Sequence, residues 1–284
     1  MRVLLAIDGS TESWRATRWL GGLSLPPDTN VSVLTVATLR KPPHDAQTMS
    51  QLRESVIADA REVGETAAQI LLPRWPEVQA VVASGDRQVE ILYAAEERRV
   101  DLIAVGARGL GRLKRHLVGS TSLAVARYAP CPVVIIRGRL RPVKRILVAV
   151  DGSDGSRAAV RFLSTFGLVR NTAVILVHVL PPPVPGLHGM GTSIPDWTNS
   201  DVVMTDAAAA LSDARRPIEQ LVREGDPARE IVRSARNRDV DLVVLGARGL
   251  RMLGRVLLGS VSETVVHHVG RPVVIVRERD DTVR

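Results

Sequence analysis

The sequence predicts two copies of a doubly wound α/β domain, each with a five-stranded parallel sheet and helices on both faces. Three observations carry that expectation. The stretch "GARGLGRLKRHLVGS" at 106–120 returns as "GARGLRMLGRVLLGS" at 246–260, so the spacing G-x2-G-x9-G-S is written twice. Other segments return with it: "VLLAIDGS" as "ILVAVDGS", "VDLIAVGARGL" as "VDLVVLGARGL", and "CPVVIIR" as "RPVVIVR", at an offset of 143 residues for the first aspartate and 140 for the glycine motif. A near-constant period of this length is the mark of a duplicated unit. Within each copy, short β-branched apolar runs alternate with longer stretches of helical period, as parallel strands joined by right-handed crossovers require.

In the first copy, the runs Val3 to Ile7, Val31 to Ala37, Val78 to Ala83, Leu102 to Val105 and Pro132 to Arg137 read as strands. Between the first two, Ala16, Trp19, Leu20 and Leu23 share one helical face; Arg53 to Leu72, Gln88 to Arg99 and Ser120 to Ala129 supply three more helices. The second copy repeats the order with strands near Ile146 to Val150, Ala173 to Val179, Ile218 to Arg223, Leu242 to Leu245 and Pro272 to Arg277. Its distinctive piece, "LPPPVPGLHGMGTSIPDW" at 180–197, is so rich in Pro and Gly that it reads as a mobile loop. The basic, proline-containing "RGRLRPVKR" at 137–145 is the seam. The domains expected are therefore residues 1–139 and 144–279, with 280–284 as a tail.

Bulk composition narrows the function classes. The 284 residues suffice for two domains with a core each. No apolar run approaches the roughly 20 residues of a membrane-spanning helix. The start "MRVLLAIDGS" lacks the long apolar region and cleavage site of a signal peptide, so the expected location is cytoplasmic, with no membrane partner. Cys131 is the only cysteine and excludes an intramolecular disulfide or a thiolate metal cluster; it reads as packing. The six histidines show no ligand spacing. A net charge of +8, almost all from arginine, attracts polyanions, but aromatics are only 3% and form no stacking platform, so nucleic acid is the lesser expectation.

In a doubly wound sheet, ligands sit beyond the carboxyl ends of the strands where strand order reverses. Asp8 and Asp151 end the first strand of each copy, and Gly106 and Gly246 follow the fourth. If those strands are neighbours, one crevice holds the aspartate and the glycine loop together. Gly106 and Gly109 would allow positive φ and close approach of the backbone to a ligand. Gly119 and Ser120 open a helix, whose unpaired N–H groups favour an anion such as phosphate, and the hydroxyls of Ser120 and Ser122, repeated as Ser260 and Ser262, add donors. Turns and N-caps use the same residue types without any ligand; retention of the whole pattern in both copies favours the phosphate cradle. A Walker A loop is excluded, because Arg112 and Leu113 stand where Lys and Ser or Thr are needed. The dinucleotide fingerprint fails because "DGST" and "DGSD" follow the first strand.

With its twice-repeated G-x2-G-x9-G-S, its aspartate closing strand one and its final strand of the "CPVVIIR" type, the chain resembles the ATP-binding branch of the universal stress protein family, in tandem two-domain form. The resemblance implies strand order 3-2-1-4-5. By position it implies nucleotide contacts from Asp8, Val36, Gly106, Arg108, Gly109, Gly119, Ser120 and Ser122 in the first half. In the second half the corresponding set is Asp151, Val177, Gly246, Arg248, Gly249, Gly259, Ser260 and Ser262. Val36 and Val177 are assigned to adenine through their backbone, to within about a residue. Arg115 and Arg255 also recur as phosphate candidates, although solvated arginine accounts for them equally well. The cofactor implied is ATP with Mg carried on its phosphates, and no protein side chain is assigned to metal.

The function implied is an ATP-binding stress-response or regulatory protein with one nucleotide site per half. Neither half repeats a His or Glu beside the glycine loop to act as a base, so binding is favoured over a slow ATPase or self-phosphorylating activity. A nucleic-acid-binding role ranks third. Apolar edge strands left bare invite pairing, so the halves are expected to form an intrachain pseudo-dimer through 132–137 and 272–277, with surface left for a homodimer; the regulatory partner is not named by the sequence.

Overall fold

The computed structural model describes residues 1–39, 46–107, 118–165, 172–181, 197–211, 217–249 and 258–277. Two compact units divide the chain, Met1–Leu140 and Arg141–Glu278. The first runs β1 (Arg2–Ile7), α1 (Thr11–Gly21), β2 (Asn30–Ala37), α2 (Ala46–Leu71), β3 (Gln79–Ser84), α3 (Arg87–Glu97), β4 (Leu102–Gly106), α4 (Ser120–Tyr128) and β5 (Val133–Ile136). The second runs β6 (Arg145–Ala149), α5 (Asp154–Thr165), β7 (Ala173–Leu180), α6 (Trp197–Ala209), β8 (Ile218–Glu224), α7 (Pro227–Asn237), β9 (Leu242–Gly246), α8 (Ser260–His268) and β10 (Val273–Val276).

Every strand pair within a unit is parallel, and the order is β3-β2-β1-β4-β5 in the first and β8-β7-β6-β9-β10 in the second. The strand order expected from the resemblance is thus the one observed. Burial explains the apolar runs: Val3, Leu4 and Leu5 are all inside, because helices cover both faces of a central parallel strand. At one edge of each unit's sheet, β3 and β8 keep mostly exposed or half-buried residues.

Local chemistry sets the helix ends. The Ser10 hydroxyl accepts the Ser13 N–H at 3.2 Å, so α1 starts at Thr11, ahead of the Trp14 suggested by apolar period alone. Asp86 caps α3 and Asp226 caps α7, the latter with Pro227 in the first turn. The long α2 begins seven residues before Arg53. Its Gly64 lies so close to β2 that an added Cβ would stand 3.2 Å from Thr35 Oγ1. Most of the Pro/Gly-rich stretch 180–197 lies outside the described residues; its first residue closes β7 and its last opens α6.

The repeated "VD" before β4 and β9 serves the amino ends of the strands, away from the glycine motif. Asp101 accepts the Arg2 N–H at 2.7 Å. Asp241, 3% exposed, accepts the N–H groups of Lys144 and Arg145 at 2.8 and 2.9 Å and is paired with Arg141. Arg141 also bonds Asp239 at 2.8 Å, and these hydrogen bonds, Asp239's first, raise its basicity above the ordinary guanidinium value against the opposing effect of desolvation. No helix among the described residues is long and apolar enough to cross a membrane.

Candidate functional site

β1 lies between β2 and β4, and β6 between β7 and β9. Ala6 is level with Val105 and Val148 with Val244, so Asp8 and Asp151 emerge beside the residues that follow Gly106 and Gly246. The condition set by the sequence, strands one and four as neighbours, is met in both units. In the second unit the convergence is direct: a Cβ added to Gly249 would stand 2.5 Å from Asp151 Oδ2.

The aspartates are held by the turn that follows them. Asp8 Oδ1 accepts the Ser10 N–H at 3.1 Å, and Gly9 takes φ +74° to make the bend. Asp151 Oδ1 accepts both the N–H and the hydroxyl of Ser153, at 3.0 and 2.5 Å. Each carboxylate therefore turns one oxygen back to its own helix start, and in the second unit the other oxygen, Asp151 Oδ2, lies on the Gly249 side.

Gly106 and Gly246 are not in the left-handed region; the positive φ anticipated for Gly106 is found instead at Gly9 and Gly152. What demands glycine there is close approach. A Cβ on Gly106 would stand 3.3 Å from the Glu12 backbone, and one on Gly246 only 2.5 Å from the Gly155 carbonyl carbon. Gly155, the second-unit counterpart of Glu12, lets the two backbones meet: its own added Cβ would stand 2.3 Å from the Arg248 carbonyl oxygen.

α4 and α8 both start at a glycine. Gly119 and Gly259 are N-caps with extended backbone and no side-chain capping bond, unlike Ser10, Asp86 and Asp226 at α1, α3 and α7. Their own N–H groups are spent on Ala107 O at 2.7 Å and Ala247 O at 2.8 Å, which seats each helix start against the strand end. Leu123 N–H and Glu263 N–H make the first intrahelical bonds to those glycines. The N–H groups of the turn between have no side-chain cap, the arrangement that favours an anion. Ser120 and Ser260 are exposed at the first helical position. Ser122 and Ser262 are buried and each donates its hydroxyl to the motif's first glycine, Gly106 O and Gly246 O, at 2.7 Å. Their work is to lock the helix start to the strand end.

Val36 is half-buried near the end of β2. β2 and β7 are each eight residues long and register identically on their neighbours, which makes Val179 the structural counterpart of Val36 and Leu34 that of Val177. Val177 is 1% exposed, and its carbonyl accepts the Val150 N–H at 2.9 Å. One residue on, His178 donates its Nδ1–H to Val150 O at 2.7 Å, next to Asp151. Its counterpart Thr35 has a buried hydroxyl with no hydrogen-bond partner among the described residues. The histidine was unremarkable as sequence because only the register places it beside the aspartate.

Arg248 brings positive charge to the end of β9. Burial first, and then the charge of Arg248, make the Arg277 guanidinium less basic than usual. Two cations thus face the same end of the sheet as Asp151. Arg108, Gly109, Arg115 and Arg255 lie outside the described residues. No cluster of three metal-ligating side chains occurs among the described residues. A cavity of about 420 Å³ lies elsewhere, between β8 and α7, and of its charged lining Arg238 pairs with Glu219 at 2.5 Å and Arg233 with Glu230 at 3.6 Å.

Comparison with known proteins gives the family of the chain and the likeness of its fold. The sequence profile of the universal stress protein family matches residues 1–137 and again 142–277. The chain is 28% identical over 300 residues to the universal stress protein Rv2623 of Mycobacterium tuberculosis, covering 97% of this chain and 96% of that one. It is 30% identical over 161 residues to the stress response protein NhaX of Bacillus subtilis, covering 47% of this chain and 97% of that one. A universal stress protein from Archaeoglobus fulgidus has a crystal structure that superposes with TM-score 0.73 at 23% identity, covering 99% and 97% of the two chains, a likeness of fold.

Proposed function

We propose that this chain, which belongs to the universal stress protein family, is an ATP-binding stress-response regulator with one nucleotide site in each half. The observation that carries the reading is a helix start without a side-chain cap, seated by hydrogen bonds beside the carboxyl end of β4 or β9 and built twice. Phosphate is the group such a start accommodates. In the first half, Gly106, Gly119 and Ser120 would hold it, with Gly109 and Arg108 supplied by the rest of the loop; in the second, Gly246, Arg248, Gly249, Gly259 and Ser260. Asp8 and Asp151 would take the ribose or the Mg-phosphate side, and the backbone around Val36 and Val177 to Val179 the adenine. Mg would arrive on the phosphates.

Nucleotide occupancy would act through conformation or partner choice, since in the second unit the residues after β9 approach the aspartate turn at Gly249 and accept the N–H of the next helix start at Ala247. The reading extends to assembly: β5 and β10 each end their own unit's sheet and consist of Val and Ile, which supports an intrachain pairing of the halves and leaves a homodimer open to the remaining surface. Slow hydrogen exchange in both 133–136 and 273–276 is expected, and fast exchange in both would refute the pairing.

The test of the function is to denature freshly purified protein and identify any released nucleotide by chromatography. ATP in the supernatant supports the reading, and ADP in its place moves the protein to the hydrolysing alternative. Absence of any adenine nucleotide, together with no uptake on adding Mg-ATP, removes it.

A further inference from the structure

The two units repeat the same helix, α3 and α7, with the same inward face and an opposite outward one. Ile91, Ala94 and Ala95 are buried on α3, as Ile231, Ser234 and Ala235 are on α7. Outward, the α3 positions 89, 93 and 96 carry Val, Tyr and Glu, and the equivalent α7 positions 229, 233 and 236 all carry Arg. Spacing of i, i+4 and i+7 makes each set one stripe along its helix. The exposure is large: Val89 is 60% and Tyr93 61% exposed, while Arg233 leaves 71% of its side chain in solvent despite a 3.6 Å ion pair with Glu230.

We propose that the α3 stripe of one chain docks on the α7 stripe of a second copy, a head-to-tail contact centred on Arg233 over the ring of Tyr93. Chemistry chooses this occupant. An arginine guanidinium over a tyrosine ring is a favourable cation–π pair, and Glu96 meets an arginine whichever way the helices run, Arg236 if parallel and Arg229 if antiparallel. Two α7 stripes would set like charges against each other, and two α3 stripes would leave every arginine unmatched. Two helix faces bury less than the roughly 1,000 Å² of a stable interface, so the contact is weak, transient and weakened by salt. It does not depend on nucleotide.

Sedimentation velocity of the full chain across a concentration series tests it. Wild-type protein associates at low salt, and Tyr93→Ser or Arg233→Glu alone raises the dissociation constant roughly tenfold or more. Both positions are exposed, and the Arg233–Glu230 pair is a solvated one, so thermal melts of the variants stay within a few degrees of the wild type, on the order of a surface change. The decisive sample is a mixture of the two: the Tyr93→Ser chain keeps an intact arginine stripe, the Arg233→Glu chain an intact tyrosine stripe, and together they associate more strongly than either alone. Wild type that stays monomeric at low salt overturns the proposal, as do variants that associate like wild type or a mixture no stronger than its parts. So does Arg233→Glu altering the binding of an RNA probe while leaving self-association unchanged.

Discussion

Replacing Gly246 by Ala tests the reason given for the first glycine of the motif. The new Cβ would stand 2.5 Å from the carbonyl carbon of Gly155, 2.6 Å from its oxygen and 2.9 Å from the Ser156 nitrogen, all backbone atoms that no side-chain rotation can clear. Ordinary carbon contacts begin near 3.5 Å, so the first turn of α5 must retreat by about 1 Å. That turn is tied to Asp151 through Ser153, whose hydroxyl reaches Asp151 Oδ1 at 2.5 Å and accepts the Ser156 N–H at 3.2 Å, so the displacement reaches the carboxylate. Overpacking of this kind costs about 3 kcal/mol, the upper part of the usual range. At about 2–4 °C per kcal/mol, that lowers the second unit's unfolding temperature by roughly 6–12 °C. The same change at Gly106 meets the Glu12 backbone at 3.3 Å, which needs only a shift of a few tenths of an ångström and costs below about 1 kcal/mol. Differential scanning calorimetry of the two single variants reads the difference. Equal shifts, or a larger one for Gly106→Ala, would refute the close-approach argument.

Asp241→Ala should destabilise the second unit by about 1–3 kcal/mol in urea unfolding, because it leaves two backbone N–H groups without their acceptor while Arg141 keeps Asp239; Asp101→Ala, which loses an exposed bond to Arg2, should cost less. Ser122→Ala and Ser262→Ala each orphan a carbonyl at the strand end and should cost about 1–2 kcal/mol by the same measurement, with no cost indicating that the hydroxyl does not hold the helix start. ATP at a hundredfold excess over Kd should stabilise the native chain by about 2.7 kcal/mol per site, and the double variant Gly119→Val, Gly259→Val should lose most of that in a thermal-shift assay; an undiminished shift would mean that the motif does not form the site.

The repeat made most of the fold readable. Two copies of "GARGL" after a "VDL" run fixed the strand they follow, and the aspartate of "IDGS" and "VDGS" fixed the other wall of the crevice, so the meeting of Asp151 with Gly249 is what spacing implied. Apolar period located helices by their buried faces but not their starts, since Ser10 and the turns of α2 before Arg53 belong to the exposed or capping chemistry that period ignores. Register was the harder matter. Val177 looked equivalent to Val36 as text, yet pairing along β6 and β7 gives that place to Val179 and sets His178 against the Val150 carbonyl. Nor did one sequence distinguish Gly155, which reads as an ordinary helix residue until the carbonyl of Arg248 is found where its Cβ would be.

The central claim, one nucleotide site in each half, is tested most directly by titrating nucleotide-free protein with Mg-ATP in a calorimeter, alongside Asp8→Ala and Asp151→Ala. The account predicts two sites per chain, with Asp8→Ala losing the first and Asp151→Ala the second. No heat of binding in the wild type, or equal loss of both sites from either substitution, would contradict it.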